Sequence, residues 1–126
     1  MHEGIDNVGV AVADLDAALA FYETLGFECE PYSDVDAQVA PGDGAYLYVF
    51  ETEGGAGVER GGDLFENPVG IDHVSVRVDD VDETCESLSA AGVEFFLAPT
   101  TEAEWGLRMA GTRDPSGNVV YFVTDA

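Results

Sequence analysis

An internal repeat is the feature of this sequence that most constrains its fold. The segment GIDNVGVAV at residues 4–12 returns 66 positions later as GIDHVSVRV at residues 70–78. The match stays in register downstream, where Asp14 corresponds to Asp80. Two copies of a unit of roughly 60 residues are too few for a solenoid, so we expect them to pair across a pseudo-twofold axis. A site between the copies would be built from equivalent positions.

The first strand of the repeat contains a chemical difference between the copies. Asn7 of the first copy corresponds to His73 of the second. An amide and an imidazole differ in their ability to transfer protons and to bind metals. A site built from these equivalent positions would therefore be asymmetric.

Each copy begins with the pattern of a half-buried strand followed by an amphipathic helix. Residues 5–12 alternate valine with small or polar residues, which is the period of a strand. Asp14 then stands where a helix cap is expected, and Gly26 stands where a left-handed residue ends the helix. Asp80 and Gly92 take the same positions in the second copy. The sequence therefore predicts one strand and one helix at the start of each copy.

Three further apolar segments, separated by turn residues, follow each helix. They span residues 27–32, 36–40 and 45–51 in the first copy, and residues 93–98, 105–110 and 118–124 in the second. Each copy is thus predicted to fold as a β-α-β-β-β module, and the fold class is α+β.

These elements predict a single domain that spans residues 1–126. Module 1 covers about residues 4–52, and module 2 covers about residues 69–126. Residues 53–68 between the modules contain glycines and charges without periodicity, so we expect a linker or a mobile flap there.

The charge of the chain limits its partners and its setting. It has 26 acids, four arginines and no lysine, which gives a net charge of -22. Such a surface repels phosphate, so nucleic acid is not an expected partner. Molar salt shortens the screening length to about 3 Å and relieves the self-repulsion, so we predict a halophilic source, archaeal or bacterial, and a cytoplasmic location. The alternative is an acidic mesophilic protein. No apolar run approaches the roughly 20 residues that a membrane span requires.

Three motifs carry a resemblance to a known superfamily. They are GID[NH]V on the first strand of each copy, ALAFYETLGF on the first helix, and DPSGN before the last strand. In this order they resemble the vicinal oxygen chelate superfamily, which includes glyoxalase I, methylmalonyl-CoA epimerase, extradiol dioxygenases and bleomycin-resistance proteins. The resemblance implies that two modules pair into a curved mixed sheet that forms a cup, and that the protein forms a homodimer. The two modules of one cup lie either in one chain or in two.

The resemblance also implies four positions where metal-bearing relatives hold their ion. In this chain those positions fall on Asn7, Tyr48, His73 and Tyr121, and only His73 keeps the expected residue type. A divalent metal needs about three or four donors with charge to offset its own, and one imidazole, one amide and two phenols do not supply them. We therefore expect no cofactor. The alternatives are a divalent metal completed by a carboxylate from another strand, and Fe(III) bound by tyrosinate.

Alternation of side chains assigns residues to the cup. If the valines of the first strand pack on the helix, then Asn7 faces the cup, and the equivalent residues of module 2 do the same. The predicted ligand-binding set is Asn7, Tyr46, Tyr48, Phe50, His73, Ser75, Arg77, Trp105 and Tyr121. Its aromatic members would stack on a flat ligand or would simply fill the cup.

Two residues of the cup have more specific candidate roles. Arg77 would pair with a carboxylate or phosphate of a ligand, or else form an internal salt bridge or a dimer contact. His73 is the candidate catalytic residue, as a general base or a hydrogen-bond donor, and is otherwise a hydrogen-bonded cavity histidine.

Three functions follow from these features. The first is metal-independent binding of a small planar or anionic molecule in the aromatic cup, similar to a bleomycin-resistance protein. The second is an enzyme, either a glyoxalase-type or epimerase-type lyase or isomerase, or a dioxygenase with altered ligands. The third is a non-catalytic dimerisation module.

Overall fold

The computed structural model describes all 126 residues and divides them into two compact units, Met1–Ala56 and Gly57–Ala126. Each unit contains one β-α-β-β-β module, which confirms the predicted α+β fold with tandem modules. We keep the names module 1 and module 2 for these two units.

Module 1 places a mixed four-stranded sheet against one helix. Its elements are β1 (Asn7–Val12), α1 (Leu15–Thr24), β2 (Glu28–Pro31), β3 (Asp36–Ala40) and β4 (Tyr46–Glu51). The strand order is β1-β4-β3-β2, with β1 parallel to β4 and the other pairs antiparallel. This order places the first and last strands of the module side by side at the sheet edge.

Module 2 repeats this topology. Its elements are a short 3-10 helix (Leu64–Glu66), β5 (His73–Arg77), α2 (Val81–Ala90), β6 (Phe95–Glu102), β7 (Leu107–Arg113) and β8 (Val119–Asp125). The strand order is β5-β8-β7-β6, with β5 parallel to β8. The 3-10 helix lies inside the stretch that the sequence predicts as a linker or flap.

The helix boundaries follow the predicted caps. The Asp14 side chain accepts a hydrogen bond from the Ala17 backbone N–H, and Asp80 does the same for Glu83. Gly26 and Gly92 follow the two helices with φ of 91° and 95°, a left-handed conformation that favours glycine. Equivalent local sequence thus gives equivalent local structure in both modules.

Alternation along β1 sorts side chains as predicted. Val10 and Val12 are buried on the helix side of the sheet, whereas Asn7, Gly9 and Ala11 are exposed on the other side. The helix-side core of module 1 also takes side chains from the helix and from the two neighbouring strands. These are Leu15, Ala18, Tyr22, Ala37, Val39, Leu47 and Val49.

Two predicted strands of module 2 begin later than expected. The sequence predicts a strand over residues 93–98, but β6 spans Phe95–Glu102. The sequence predicts a strand over residues 105–110, but β7 begins at Leu107. Trp105 instead lies in the turn between β6 and β7, where Gly106 has φ 64°.

Neither helix is long and apolar enough to cross a membrane.

Candidate functional site

Module 1 presents an aromatic face on the side of its sheet opposite the helix. Tyr46, Tyr48 and Phe50 alternate along β4 with the buried Leu47 and Val49, and all three rings are half-buried. Together with Tyr32, which follows β2, these residues are named the aromatic face.

Three rings of the aromatic face form a ladder. Tyr32 stacks on Tyr48 with ring centroids 6.4 Å apart and an interplanar angle of 27°. Tyr48 stacks on Phe50 at 5.5 Å and 28°. Gly9 lies beside them, and a Cβ at this position would come within 3.6 Å of Phe50. The ladder is therefore flanked by bare backbone, which leaves its rings accessible from one side.

Hydrogen bonds fix the orientation of the ladder. The Tyr48 hydroxyl donates to Asp36 Oδ2 at 2.6 Å, and the Tyr32 hydroxyl donates to Gln38 Oε1 at 2.6 Å. Ser33 Oγ donates to the other oxygen of Asp36 at 2.5 Å. The bonds from Ser33 and then from Tyr48 lower the pKa of Asp36, while the bond to Asp36 and then burial raise the pKa of Tyr48. At neutral pH the pair is thus a carboxylate and a neutral phenol.

Asp6 organises the edge of the aromatic face. Its Oδ2 accepts from Asn7 Nδ2 at 2.9 Å and from the Tyr46 hydroxyl at 3.3 Å. Burial, followed by the charge of Asp6, raises the pKa of Tyr46. The predicted site residue Asn7 therefore lies exposed at this edge, with its amide nitrogen bonded to Asp6.

The equivalent face of module 2 is filled. Tyr121, which occupies the position of Tyr48 in the repeat, is only 1% exposed. It packs in a cluster that joins strands β7 and β8 with the 3-10 helix. The cluster consists of Met109, Val119, Tyr121 and Val123, with Leu64, Phe96 and Leu97 packed against it.

A glycine makes this packing possible. A Cβ at Gly111 would lie 2.7 Å from Tyr121 Cε1 and 2.9 Å from Phe96 Cζ, which is closer than side chains tolerate. The Phe96 and Tyr121 rings meet at 5.9 Å in an edge contact. Gly111 therefore gives these two rings the space they occupy.

His73 belongs to a polar network next to this cluster. Asp72 Oδ1 lies 2.6 Å from His73 Nδ1, and Asp72 Oδ2 accepts from Arg60 Nη1 at 3.2 Å and from Asn67 Nδ2 at 2.9 Å. Burial alone would raise the pKa of Asp72, but the hydrogen bonds from His73, Asn67 and Arg60 outweigh it and lower the pKa. Because an ionised carboxylate only accepts, we assign a proton to His73 Nδ1; in the neutral imidazole Nε2 is then an acceptor. The ring centroids of His73 and Tyr121 lie 4.6 Å apart in a T-shaped arrangement.

The remaining predicted site residues lie away from this network. Ser75 is exposed, and Arg77 is 63% exposed and forms an ion pair with Asp125 at 3.1 Å. Trp105 is 44% exposed. His73 pairs in register with Val119, whereas the β6–β7 turn lies beside Asp125, six residues further along β8, so Trp105 and His73 are about 20 Å apart along the sheet.

Several residues of the two faces escaped the sequence analysis. Tyr32, Asp36 and Gln38 complete the ladder of module 1, and Arg60, Asn67 and Asp72 complete the His73 network. The repeat could have indicated Asp72, because an aspartate precedes both Asn7 and His73 in the sequence and hydrogen-bonds to each of them. Asp36 and Gln38 lie on β3, and Tyr32, Arg60 and Asn67 lie in loops, where the repeat gave no indication of them.

The four superfamily metal positions do not supply a conventional donor set. The Asn7 amide nitrogen bonds to Asp6, and the Tyr48 hydroxyl bonds to Asp36. The pKa values of Tyr48 and Tyr121 are both raised, which disfavours the phenolate that Fe(III) would need. No three His, Cys, Asp or Glu side chains are grouped so that they could hold a metal. His73 Nε2 is the one donor that keeps the expected chemistry.

Comparisons with known proteins agree with the topology. The model of the Glyoxalase/Bleomycin resistance protein/Dioxygenase superfamily matches residues 4–122. A glyoxalase/dioxygenase from Nostoc punctiforme is similar with a TM-score of 0.79 at 16% identity, over 98% of this chain and 92% of the other. Lactoylglutathione lyase from Agrobacterium tumefaciens has a TM-score of 0.71 at 23% identity, over 97% and 93%. TioX from Micromonospora sp. ML1 has a TM-score of 0.71 at 25% identity, over 98% and 99%. No curated protein matches the chain.

Proposed function

Because the chain belongs to the glyoxalase/bleomycin resistance protein/dioxygenase superfamily, we propose that it binds a small planar molecule on the aromatic face of module 1 without a metal ion. The observation that carries this proposal is the ladder of Tyr32, Tyr48 and Phe50. Stacked aromatic rings that remain partly or largely exposed offer a flat ligand both apolar area and stacking geometry. Because the hydroxyls of the two tyrosines are already bonded, the rings are oriented before a ligand arrives.

The electrostatics of module 1 support an uncharged or positively charged ligand. Residues 1–56 contain 12 of the 26 acids and no lysine or arginine. Asp6 and Asp36 lie at the edges of the aromatic face, where they would oppose an anion and attract a cation. Arg77, the expected anchor for an anion, is paired with Asp125 in module 2. Of the two ligand types expected from the sequence, planar and anionic, we therefore propose a planar one for the aromatic face.

Binding can be tested with a planar fluorescent dye of moderate size, titrated in molar KCl before and after exhaustive dialysis against chelator. We expect saturable binding that survives dialysis, in protein whose metal content by mass spectrometry is well below one ion per chain. Tyr48→Leu should weaken binding by about fivefold, since one stacking ring contributes on the order of 1 kcal/mol. Phe65→Leu is the matched control, because Phe65 is 87% exposed outside the aromatic face. Equal losses in the two variants, or binding that leaves with a metal, would refute the proposal.

A second candidate function is an enzyme of the superfamily, and the Asp72–His73 contact favours it. A carboxylate on Nδ1 fixes the imidazole and leaves Nε2 able to accept a proton, which is the arrangement of a general base. We retain a lyase, an isomerase or a dioxygenase with altered ligands as the reaction classes. His73→Ala with unchanged turnover on an identified substrate would eliminate this candidate.

The acidic composition supports a salt-rich cytoplasm, archaeal or bacterial, as the setting of the protein. With a net charge of -22 and no lysine, repulsion between the acidic side chains destabilises the folded state in dilute buffer, and molar KCl screens that repulsion. We expect the melting temperature to rise steeply from dilute buffer to molar KCl. A melting temperature that does not depend on KCl would contradict the halophilic assignment.

We also propose a homodimer, with neither nucleic acid nor membrane as a partner. Exposed apolar side chains in the stretch before β5, among them Phe65, Val69 and Ile71, support a protein contact. A non-catalytic dimerisation module stays the third candidate, supported by the filled face of module 2. Native mass spectrometry from ammonium acetate would report the oligomer and any retained ligand together, and a monomer across micromolar concentrations would contradict the dimer.

A further inference from the structure

The loop before β4 contains the only aspartate–glycine pair of the chain, Asp43–Gly44. Both residues are exposed. The Asp43 carboxylate forms no hydrogen bond or ion pair, and the Gly44 backbone N–H has no acceptor within the protein. Gly44 has φ 97°, and no atom lies within 4 Å of the place where a Cβ would stand. Because glycine has no side chain to crowd its nitrogen, that nitrogen is free to approach the side-chain carbon of Asp43.

The equivalent turn of module 2 shows how such a nitrogen can be held. Gly117 stands at the position of Gly44 in the repeat, and its N–H donates to the backbone oxygen of Asp114 at 2.9 Å. The Asp114 side chain accepts from two further N–H groups of the turn, each at 2.9 Å. Module 1 has Pro41 at the position of Asp114, and proline has no side-chain acceptor. The module 1 loop therefore lacks the hydrogen bonds that fix its counterpart.

Two nearby aspartates of module 1 lack this combination of features. Asp34 is exposed, but the next residue is Val35, whose branched side chain crowds its nitrogen and whose N–H donates to Ser33 Oγ at 3.1 Å. The carboxylate of Asp36 is held by hydrogen bonds from Ser33 and Tyr48. Free approach of a backbone nitrogen to an aspartate side chain is therefore specific to Asp43 in this part of the chain.

We propose that Asp43 is a modification site, at which the main chain isomerises spontaneously through a succinimide. The Gly44 nitrogen attacks Cγ of Asp43 to form a new C–N bond, and one carboxyl oxygen leaves as water with the amide proton and a proton from solvent. Water then adds to either carbonyl carbon of the succinimide ring. Opening at Cγ restores aspartate, whereas opening at the main-chain carbonyl gives isoaspartate, whose peptide bond runs through Cγ. Water is the only reactant besides the protein.

The modification would lengthen the main chain directly before β4. Isoaspartate adds one methylene to the backbone, two residues before Tyr46. The Tyr46 N–H donates to the backbone oxygen of Asp6 at 3.2 Å, and its ring belongs to the aromatic face. Isomerisation therefore acts at the edge of that face, although the proposal does not depend on planar-ligand binding.

The test is to age the folded protein in molar KCl at neutral pH and to locate isoaspartate in residues 1–60. The chain has no lysine and Arg60 is its first arginine, so trypsin releases this fragment intact. Electron-transfer mass spectrometry distinguishes isoaspartate from aspartate of the same mass at each position. We expect isoaspartate to accumulate at Asp43, together with a succinimide form lighter by one water, while Asp34 stays unmodified.

Three variants, all of which keep Gly44, test the chemistry. Asp43→Glu keeps the charge and should abolish the product, because closure onto the longer side chain needs a larger ring. Asp43→Asn should form the same succinimide faster by release of ammonia, because an uncharged amide does not repel the attacking nitrogen as a carboxylate does. Asp34→Glu is the matched control, since it makes the same change at another exposed aspartate of the fragment, and it should leave accumulation at Asp43 unchanged.

A parallel sample in guanidinium chloride reports the same reaction in the unfolded chain. Accumulation at Asp43 in the folded protein at a rate close to that of the unfolded chain would support the site. Absence of isoaspartate at Asp43 from the folded protein, whether or not it forms in the unfolded chain, would overturn the proposal. Equal accumulation at Asp34 and Asp43, or an unchanged total yield of isoaspartate in Asp43→Glu, would also overturn it, because the ageing would then have no preferred site.

Discussion

The two modules share one topology and use the same face of their sheets in opposite ways. In module 1 Tyr48 is half-buried, stacks between two other rings and bonds to Asp36. In module 2 the equivalent Tyr121 is buried beneath Leu64 and Phe96 and bonds to nothing. The face of the module 1 sheet opposite its helix is thus available for contact, whereas the equivalent face of module 2 is packed as a core. The difference lies in the segment that contains Leu64 and in β6, whose pairing with β7 has two register shifts and whose Phe96 and Leu97 pack on the Tyr121 cluster.

The largest expected difference between the two faces is in the free energy of unfolding when each of the equivalent tyrosines is replaced by alanine. Tyr121→Ala should lower the free energy of unfolding by about 3–5 kcal/mol, because it opens a large cavity in a packed cluster. Tyr48→Ala should cost about 1 kcal/mol, because its ring is half-buried and borders solvent. Urea unfolding in molar KCl measures both values. Similar losses would show that the two faces are packed alike.

A smaller effect is expected at two strand glycines. Gly111→Ala should cost about 1–3 kcal/mol, because its Cβ would press on the rings of Tyr121 and Phe96. Gly9→Ala should change stability by about 0.5 kcal/mol or less, because its Cβ would meet Phe50 at an ordinary contact distance. The same unfolding assay applies. A larger cost at Gly9 than at Gly111 would reverse the assignment of open and filled faces.

Neighbouring residues of the 3-10 helix test what covers module 2. Leu64→Ala should cost about 1 kcal/mol or more and speed hydrogen exchange at β8, because Leu64 packs on the Tyr121 cluster. Phe65→Ala should have little effect, because the Phe65 side chain is exposed. If both variants behave alike, the 3-10 helix is not a cover.

The smallest expected effect is the acid response of the His73 network. The pKa of Asp72 is lowered in the folded state, so its contribution is present above the unfolded pKa of about 3.9 and is lost as pH falls through the lower, folded pKa. Asp72→Asn should therefore flatten the loss of stability below about pH 4, by about 1 kcal/mol or less. Glu86→Gln, an exposed charge on α2, is the control and should keep the wild-type slope. Identical slopes in Asp72→Asn and wild-type protein would contradict the role of Asp72.

Local features of the fold were predictable because they depend on short stretches of chain. Asp14 and Asp80 cap the helices as predicted, since a cap needs only a side-chain oxygen and the next few N–H groups. The strand face of Asn7 followed from alternation for the same reason. The start of β7 was wrong by two residues, because the apolar Trp105 extends the strand pattern into a turn set by Gly106.

The candidate site was less predictable, and its arginines show why. Arg77 drew attention because it replaces a small residue in the repeat, yet it lies exposed and pairs with Asp125. Arg113 carried no such signal, and its partners are Phe96 and the backbone of Arg60, 53 residues earlier in the sequence. Contacts between residues that are distant in the sequence produce no periodic pattern, so they could not be predicted from the sequence.

By itself, the sequence determined the duplicated β-α-β-β-β topology, the helix caps and the side of the first strand that faces its helix. These follow from periodicity, capping and residue chemistry, which act locally. Only the tertiary structure decided that Tyr48 joins a half-buried ladder while Tyr121 becomes core, and that Asp72 binds His73, Asn67 and Arg60 at once. The physical reason is that burial and charge pairing depend on which distant segments cover a surface, and Leu64 together with Phe96 and Leu97 of β6 cover the Tyr121 cluster in module 2.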